Sequence, residues 1–157
     1  MKHQKLIDLL ITASIWIIVT APIHEFCHYQ VGVWLGGDGF YNTFPNFLKG
    51  LCHWEIIPDP AWPMYLAGGF LTGLVMWLLA WRAIKTPTRQ DEDKVFVLSI
   101  LGTAQIGCSL GELSRAFEVT ADYWHITATA LAVLLVIPVL WWRLPKYYDY
   151  FMDDNAC

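Results

Sequence analysis

Charged side chains are scarce in this chain. Asp, Glu, Lys and Arg together make up 15% of its 157 residues, whereas they make up about 25% of an ordinary soluble domain. Apolar residues reach 56%, and the chain carries nine Trp, seven Tyr and eight Phe. A chain of this length suffices for one compact domain. The composition therefore predicts a single membrane-embedded domain over residues 1–157.

Several signals of other protein classes are missing. The formal net charge of −4 argues against a nucleic-acid partner. No C-x-x-C pair occurs among the four Cys residues, which argues against a cysteine-based zinc site, although Cys52 and Cys108 can pair as a disulfide. Lys2 and Lys5 precede an apolar run, but residues 20–23 make a poor signal-peptide cleavage site. We therefore expect that run to be kept as a membrane helix.

Four segments without charged residues predict membrane-spanning helices. They cover residues 9–23, 61–81, 95–111 and 123–142. The first continues to the Gly pair at 36–37, and Pro22 predicts a kink or a short break within it. The expected fold class is an all-α integral membrane protein with about four transmembrane helices.

The loop after the first predicted span has its own pattern. Residues 40–44 and 53–57 are rich in strand-forming types and are separated by Pro-Asn and Lys-Gly pairs. Such a pattern favours a short hairpin, and a re-entrant piece tucked against the helices is the alternative.

The basic residues predict an orientation. With four spans, Lys49 and Arg115 are the only two of the ten Lys and Arg residues that fall on one side. Cytoplasmic loops carry an excess of Lys and Arg. We therefore expect a multi-pass protein of the cell membrane with both termini in the cytoplasm.

Residues 24–28 carry the most specific motif of the chain. They read HEFCH, an instance of the H-E-x-x-H zinc pattern, within an apolar run. On a helix, His24 and His28 share one face and can bind one metal ion. Glu25 lies beside them and can take a proton from a water bound to that ion. The motif predicts hydrolysis inside or at the edge of a bilayer, with Glu25 as the catalytic residue.

A catalytic zinc site usually has three protein ligands and one water. In a four-span topology, the connection between the third and fourth spans lies on the same side as HEFCH. Glu112, Glu118 and Asp122 lie in or beside this connection, and His125 is one turn further along. These residues are the candidates for the third ligand.

The chain resembles the site-2 protease family of intramembrane zinc metalloproteases. The resemblance lies in PIHEFCH at residues 22–28, followed by Gly36 and Gly37, and in AGGFLTG at residues 67–73, which is similar to the small-residue second helix of that family. The family's last motif is an Asp-Gly pair that heads a later helix. Asp122 with Tyr123 is the placement in this chain that fits it.

The resemblance implies an activity and a set of ligands. It implies a zinc metalloendopeptidase in which His24, His28 and Asp122 hold Zn²⁺ and Glu25 is the general base. The implied partners are the lipid bilayer and a segment of a membrane-protein substrate, cleaved in or near its transmembrane part. The family commonly has its active site toward the cytoplasm, whereas the basic residues place HEFCH near the outer face.

Two other functions remain open from the residues. One is a membrane protein that binds metal without hydrolysis, such as a metal carrier or an assembly factor. The other is a membrane oxidoreductase with haem or di-iron. Its candidate ligands are His24, His28, Glu112, Glu118 and His125.

Further residues have expected roles near the motif. Gly68, Gly69 and Gly73 are expected to let helices pack closely. His53 is expected at the surface of the outer loop. His125 is expected either to support the metal ligands or to fill the interface.

Overall fold

The computed structural model describes residues 2–42, 52–85, 91–118 and 123–153. Four α-helices and two short strands lie within these ranges. The helices are α1 (Lys2–Trp34), α2 (Trp62–Lys85), α3 (Glu92–Ala116) and α4 (Trp124–Met152). The strands are β1 (Asp38–Tyr41) and β2 (Cys52–Ile56), and both lie between α1 and α2.

All four helices are long and apolar enough to cross a membrane. The shortest, α2, has 24 residues, which at 1.5 Å per residue gives about 36 Å and exceeds a hydrocarbon core of about 30 Å. The mean hydropathy of their most apolar windows lies between 1.4 and 2.1. The four predicted helices are confirmed, and the small sheet is an addition to an otherwise helical chain.

Several helices extend beyond the uncharged segments that predicted them. The helix α1 runs through Pro22 without the predicted break, as membrane helices can when neighbouring groups satisfy the freed backbone. The helix α3 begins with Glu92 and Asp93 in its first turn, where acidic side chains are stabilised by the helix dipole. The helix α4 continues past Trp142 to Met152.

The loop after α1 forms an antiparallel pair of strands. Tyr41 pairs with Cys52 and Gly39 pairs with Trp54, with an irregularity in register between Asp38 and Gly39. A Cβ atom added at Gly32, Gly37 or Gly39 would overlap or crowd the Trp54 ring. The bare backbone at these glycines therefore lets Trp54 fasten the strands to the end of α1.

Small residues allow α3 to pack tightly between α2 and α4. Close packing of this kind is typical of helices in membranes, where interfaces are rich in Gly, Ala and Ser. At each such glycine an added Cβ would collide with the backbone of the facing helix. The facing pairs are Gly69 with Gln105, Gly73 with Gly102, Gly107 with Ala132 and Gly111 with Ala128.

The outer faces of the bundle are apolar. Ile18 is 59% exposed, Leu134 60% and Trp141 85%. Exposed apolar surface of this extent marks contact with a membrane or a partner. The exposed side chains therefore agree with the length and hydropathy of the helices.

The two ends of the described chain meet at one end of the bundle. The Lys5 ammonium donates hydrogen bonds to the carbonyl oxygens of Tyr150 at 3.0 Å and Asp153 at 2.9 Å. The Tyr147 hydroxyl donates to Asp93 at 2.6 Å. The strands, the start of α2, the end of α3 and the start of α4 consequently gather at the opposite end.

The packing between α3 and α4 generates a stability prediction. Ala132 is 8% exposed and faces Gly107, so Ala132→Leu should force the helices apart. We expect it to lower the free energy of unfolding by about 1–3 kcal/mol, measured by denaturation in detergent micelles. Ala130→Leu, on the exposed face of α4, is the matched control and should change it by less than about 0.5 kcal/mol. Equal effects of the two variants would contradict the close packing.

Candidate metal centre

The two histidines of the HEFCH motif lie on the inner face of α1. His24 is 9% exposed and His28 is 8% exposed. Their ring centroids are 4.7 Å apart, and the two Nε2 atoms face each other at 3.0 Å. The shared helical face predicted from the spacing of four residues is therefore confirmed.

Glu112, near the end of α3, completes the cluster. Its Oε1 lies 3.4 Å from His24 Nε2, and its Oε2 lies 3.2 Å from His28 Nε2. The ligand atoms of the three residues all lie within 4.8 Å of one another. Among the residues that the structure describes, this is the one group of three or more His, Cys, Asp or Glu side chains placed closely enough to hold a metal ion.

Hydrogen bonds on the far side of each ring fix which nitrogen faces the cluster. His28 Nδ1 lies 2.6 Å from the main-chain oxygen of Met64, and His24 Nδ1 lies 2.6 Å from Oε1 of Gln105. A carbonyl oxygen only accepts hydrogen bonds, so each Nδ1 carries the proton and donates it. In the neutral rings, both Nε2 lone pairs then point into the cluster. Partners of this kind orient metal-binding histidines.

With both rings neutral, the cluster consists of acceptors without a donor. Two imidazole lone pairs and the Glu112 carboxylate converge, and the buried Oε2 of Glu112 has no hydrogen-bond donor. A buried, uncompensated charge is costly unless a cation or a proton lies beside it. A divalent metal ion would satisfy all three groups at once, so the residues present fit such an ion.

Gly68 has a more specific role than the predicted helix packing. A Cβ atom at this position of α2 would overlap the His28 ring. The absence of a side chain therefore leaves the space in which the imidazole reaches the Met64 carbonyl. Gly69 and Gly73 lie against the α3 backbone, as predicted.

A cavity of about 540 Å³ opens beside the cluster. Its volume lies within the range of about 300–1,000 Å³ that is usual for ligand pockets. Glu25, His28 and Glu112 contribute to its wall. The rest of the wall includes Trp54, Tyr65, Arg115 and Trp124. The acid predicted to be the general base thus shares one cavity with two of the candidate metal ligands.

The charge of Glu25 affects the pKa of two residues on the neighbouring strands, Tyr41 and Cys52. Burial, and then the negative charge of Glu25, raise the pKa of the Cys52 thiol to about 11. The same two causes raise the pKa of Tyr41, whose hydroxyl donates to the Pro22 carbonyl at 2.9 Å. Glu25 and Cys52 also line the same cavity. Cys52 and Cys108 are both free thiols, so the disulfide considered from the sequence does not form.

Two of the other predicted residues, Glu118 and His125, are not part of the cluster. Asp122, the third ligand implied by the family resemblance, lies outside the described residues. Glu118 is exposed just after α3, with a φ of 52°, and His125 is exposed against the Trp124 ring at 4.3 Å. His53 is exposed, as expected, and also lines the cavity.

The residues that orient the two rings were not singled out from the sequence. Gln105 lies seven positions before Glu112, and residues two turns apart share a helical face. A polar amide in an otherwise apolar span, in register with a candidate ligand, was the available signal. The Met64 main-chain carbonyl has no signal in the sequence, because any residue type supplies that atom.

Comparison of the chain with protein-family models, with curated proteins and with solved structures finds no match. The resemblance to the site-2 protease family therefore remains an expectation from the motifs.

Metal analysis tests the third ligand. We expect about one equivalent of divalent metal in the purified wild-type protein. Removal of a residue that only orients a metal ligand typically lowers metal affinity by about 10–100-fold. Because Glu112 is a proposed direct ligand, Glu112→Gln should lower the affinity by more than that. Elemental analysis by mass spectrometry gives the content. Glu118→Gln is the matched control and should keep the ion. Loss of the ion in Asp122→Ala, with retention in Glu112→Gln, would instead assign the third ligand to Asp122.

The Gln105 contact generates a second metal prediction. Gln105→Leu removes the acceptor for His24 Nδ1 and should weaken metal binding by about 10–100-fold, measured by competition with a chelator. Gln105→Glu keeps an acceptor oxygen at the same reach and should restore most of the affinity. Equal affinities in all three proteins would show that Gln105 does not orient the ring.

Proposed function

We propose that this protein is a membrane-embedded zinc metalloendopeptidase that hydrolyses peptide bonds in or near transmembrane segments of other proteins. The observation that carries the proposal is the convergence of His24, His28 and Glu112 beside a cavity that Glu25 also lines. The implied partners are the lipid bilayer and a segment of a membrane-protein substrate.

The spacing of the three ligand atoms supports zinc. Ligand atoms held about 2.0–2.1 Å from a tetrahedral zinc ion lie about 3.3 Å from one another. The two Nε2 atoms lie 3.0 Å apart, and the Glu112 carboxylate approaches His24 Nε2 with Oε1 at 3.4 Å and His28 Nε2 with Oε2 at 3.2 Å. With one ligand atom from each residue, the three atoms lie within 4.8 Å of one another, which is close enough for one ion. Two neutral imidazoles and one carboxylate are also the ligand set of several zinc peptidases. When bound, Zn²⁺ would supply Lewis-acid chemistry, since it polarises a carbonyl and lowers the pKa of water.

Glu25 is the proposed general base. Its carboxylate accepts a proton from the water that attacks the peptide carbonyl, and it then passes that proton to the leaving amine. The new bond joins the water oxygen to the carbonyl carbon, and the carbon–nitrogen bond breaks. Gln105 and the Met64 carbonyl hold the two imidazole rings in place during this sequence.

The depth of the cluster suits a substrate near the membrane edge. Glu112 lies four residues before the end of α3 and His28 lies six before the end of α1, which correspond to about 6 and 9 Å along the helix axes. A helical substrate hides its amide groups in its own hydrogen bonds, so it must unwind locally. The strand β2 lines the cavity through Cys52, His53 and Trp54, and the two-stranded sheet offers edges to which an extended segment can add.

The proposed location is the cell membrane, with both termini in the cytoplasm. The contact of Lys5 with the end of α4 supports a shared side for the two ends. The distribution of Lys and Arg favours the cytoplasm for that side. The metal cluster then lies toward the outer face.

Replacement of the proposed base tests the reaction. Glu25→Gln should keep the metal and lower the cleavage rate by about 10²–10⁴-fold, the usual contribution of a general base. Cleavage of a model membrane protein, reconstituted with the enzyme in liposomes, gives the rate by gel densitometry.

A nearby acid provides the control for this test. Glu55 is an exposed glutamate on β2, and Glu55→Gln should leave both metal and cleavage unchanged. Full cleavage by Glu25→Gln would reject its role as base. A wild-type protein that binds zinc stoichiometrically but cleaves no substrate would favour the alternative of a metal-binding membrane protein without hydrolysis.

A further inference from the structure

Arg115 occupies a defined place in the wall of the metal cavity. It lies three residues after Glu112 on α3, so the two side chains emerge on neighbouring positions of one helical face, about 5–6 Å apart at Cβ. Its guanidinium carbon lies 4.8 Å from the centre of the Trp124 ring and 5.4 Å from that of Tyr65. All three side chains line the cavity that His28 and Glu112 also line.

Arg115 is exposed, and the contacts of its guanidinium within the described ranges are with aromatic rings. Within the described ranges, Arg115 forms no ion pair with a carboxylate. Aromatic rings attract the face of a guanidinium, while its N–H groups point outward in the plane of the group. The two rings therefore hold the side chain at the wall and leave hydrogen-bond donors for a ligand.

The start of α4 adds a second positive contribution at the same wall. Trp124 is the first residue of α4, the N-cap residue Tyr123 makes no side-chain cap, and the first turn holds no acid. The first N–H groups of a helix lack partners within the helix and carry the positive end of its dipole. This feature and Arg115 both favour an anionic group in the cavity.

We propose that the cavity binds a carboxylate of the substrate through Arg115, within one or two residues of the bond that is cleaved. The inference rests on the proposed peptidase function and names its substrate class. A carboxylate fits the planar fork of a guanidinium in a bidentate manner. The closeness of Arg115 to Glu112 sets the distance, because an extended chain advances about 3.4 Å per residue. The carboxylate comes from the end of a peptide chain or from an Asp or Glu side chain.

The test measures binding apart from turnover. The zinc-loaded Glu25→Gln protein is titrated calorimetrically in detergent with N-acetylated tripeptides of alanine and leucine that end in a free carboxylate or in an amide. We expect the acid to bind about 10-fold more tightly or better, as expected for hydrogen bonds between charged groups. A second pair, both amidated, ends in aspartate or in asparagine. Preference for the acid in the first pair assigns the terminal carboxylate, and preference in the second assigns the side chain.

Variants of Arg115 separate recognition from packing. Arg115→Met keeps much of the apolar bulk and should bring the ratio of acid to amide affinities close to one, while Arg115→Lys should keep part of it. Lys85→Met is the matched control. The Lys85 ammonium also stacks on an aromatic ring, with Nζ 3.7 Å from the centre of the Trp81 ring, but Lys85 is the last residue of α2 and lies away from the cavity. It should leave the ratio unchanged.

Each outcome decides between the two proposals. No preference for the acid in either pair, or a preference that persists in Arg115→Met because the ion alone binds the carboxylate, would overturn the inference. Glu25-dependent cleavage without an acid preference would keep the peptidase and reject the role of Arg115. An Arg115-dependent preference in a protein that cleaves nothing would reject the peptidase and keep the carboxylate site.

Discussion

The meeting of α1 and α3 at His24, His28 and Glu112 is the interaction on which the rest of the structure depends. Two lone pairs and a carboxylate point at one another in a buried space. Such a group repels itself unless a positive charge lies within it. The fold nevertheless holds the three side chains together through rigid helices and through hydrogen bonds that consume the other nitrogen of each ring.

Glycines make this convergence possible. Gly69 and Gly73 bring α2 against the backbone of α3, and Gly68 leaves room for the His28 ring between them. In a bilayer, apolar side chains gain little from leaving lipid, so the approach of helices relies on close van der Waals packing. The same row of small residues therefore sets both the distance between helices and the position of a metal ligand.

Much of this arrangement was predictable from the sequence, for physical reasons that differ by residue. Long uncharged segments predicted the helices because a bilayer imposes a minimum length, and the spacing of His24 and His28 predicted a shared face because the helical repeat is fixed. Their partner from α3 was only one of several candidates, because topology gives a side of the bundle and not a distance. The contacts of Gln105 and Gly68 depend on how two helices rotate about their axes, which periodicity in a single helix does not determine.

Some polar side chains of the bundle have hydrogen-bond partners within the chain, and others do not. Lys5 donates to main-chain carbonyls at the end of α4, and Asp93 accepts from Tyr147, so the chain itself supplies their partners. At the opposite end, Glu112 Oε2 lacks a donor, and Arg115 lacks a carboxylate among the described residues. Burying a polar group without a partner costs free energy in any fold, and more so near a membrane core. This cost applies to Glu112, whose buried Oε2 fits a cation at the cluster, whereas Arg115 is exposed at the wall of the same cavity, where its guanidinium is open to an anion.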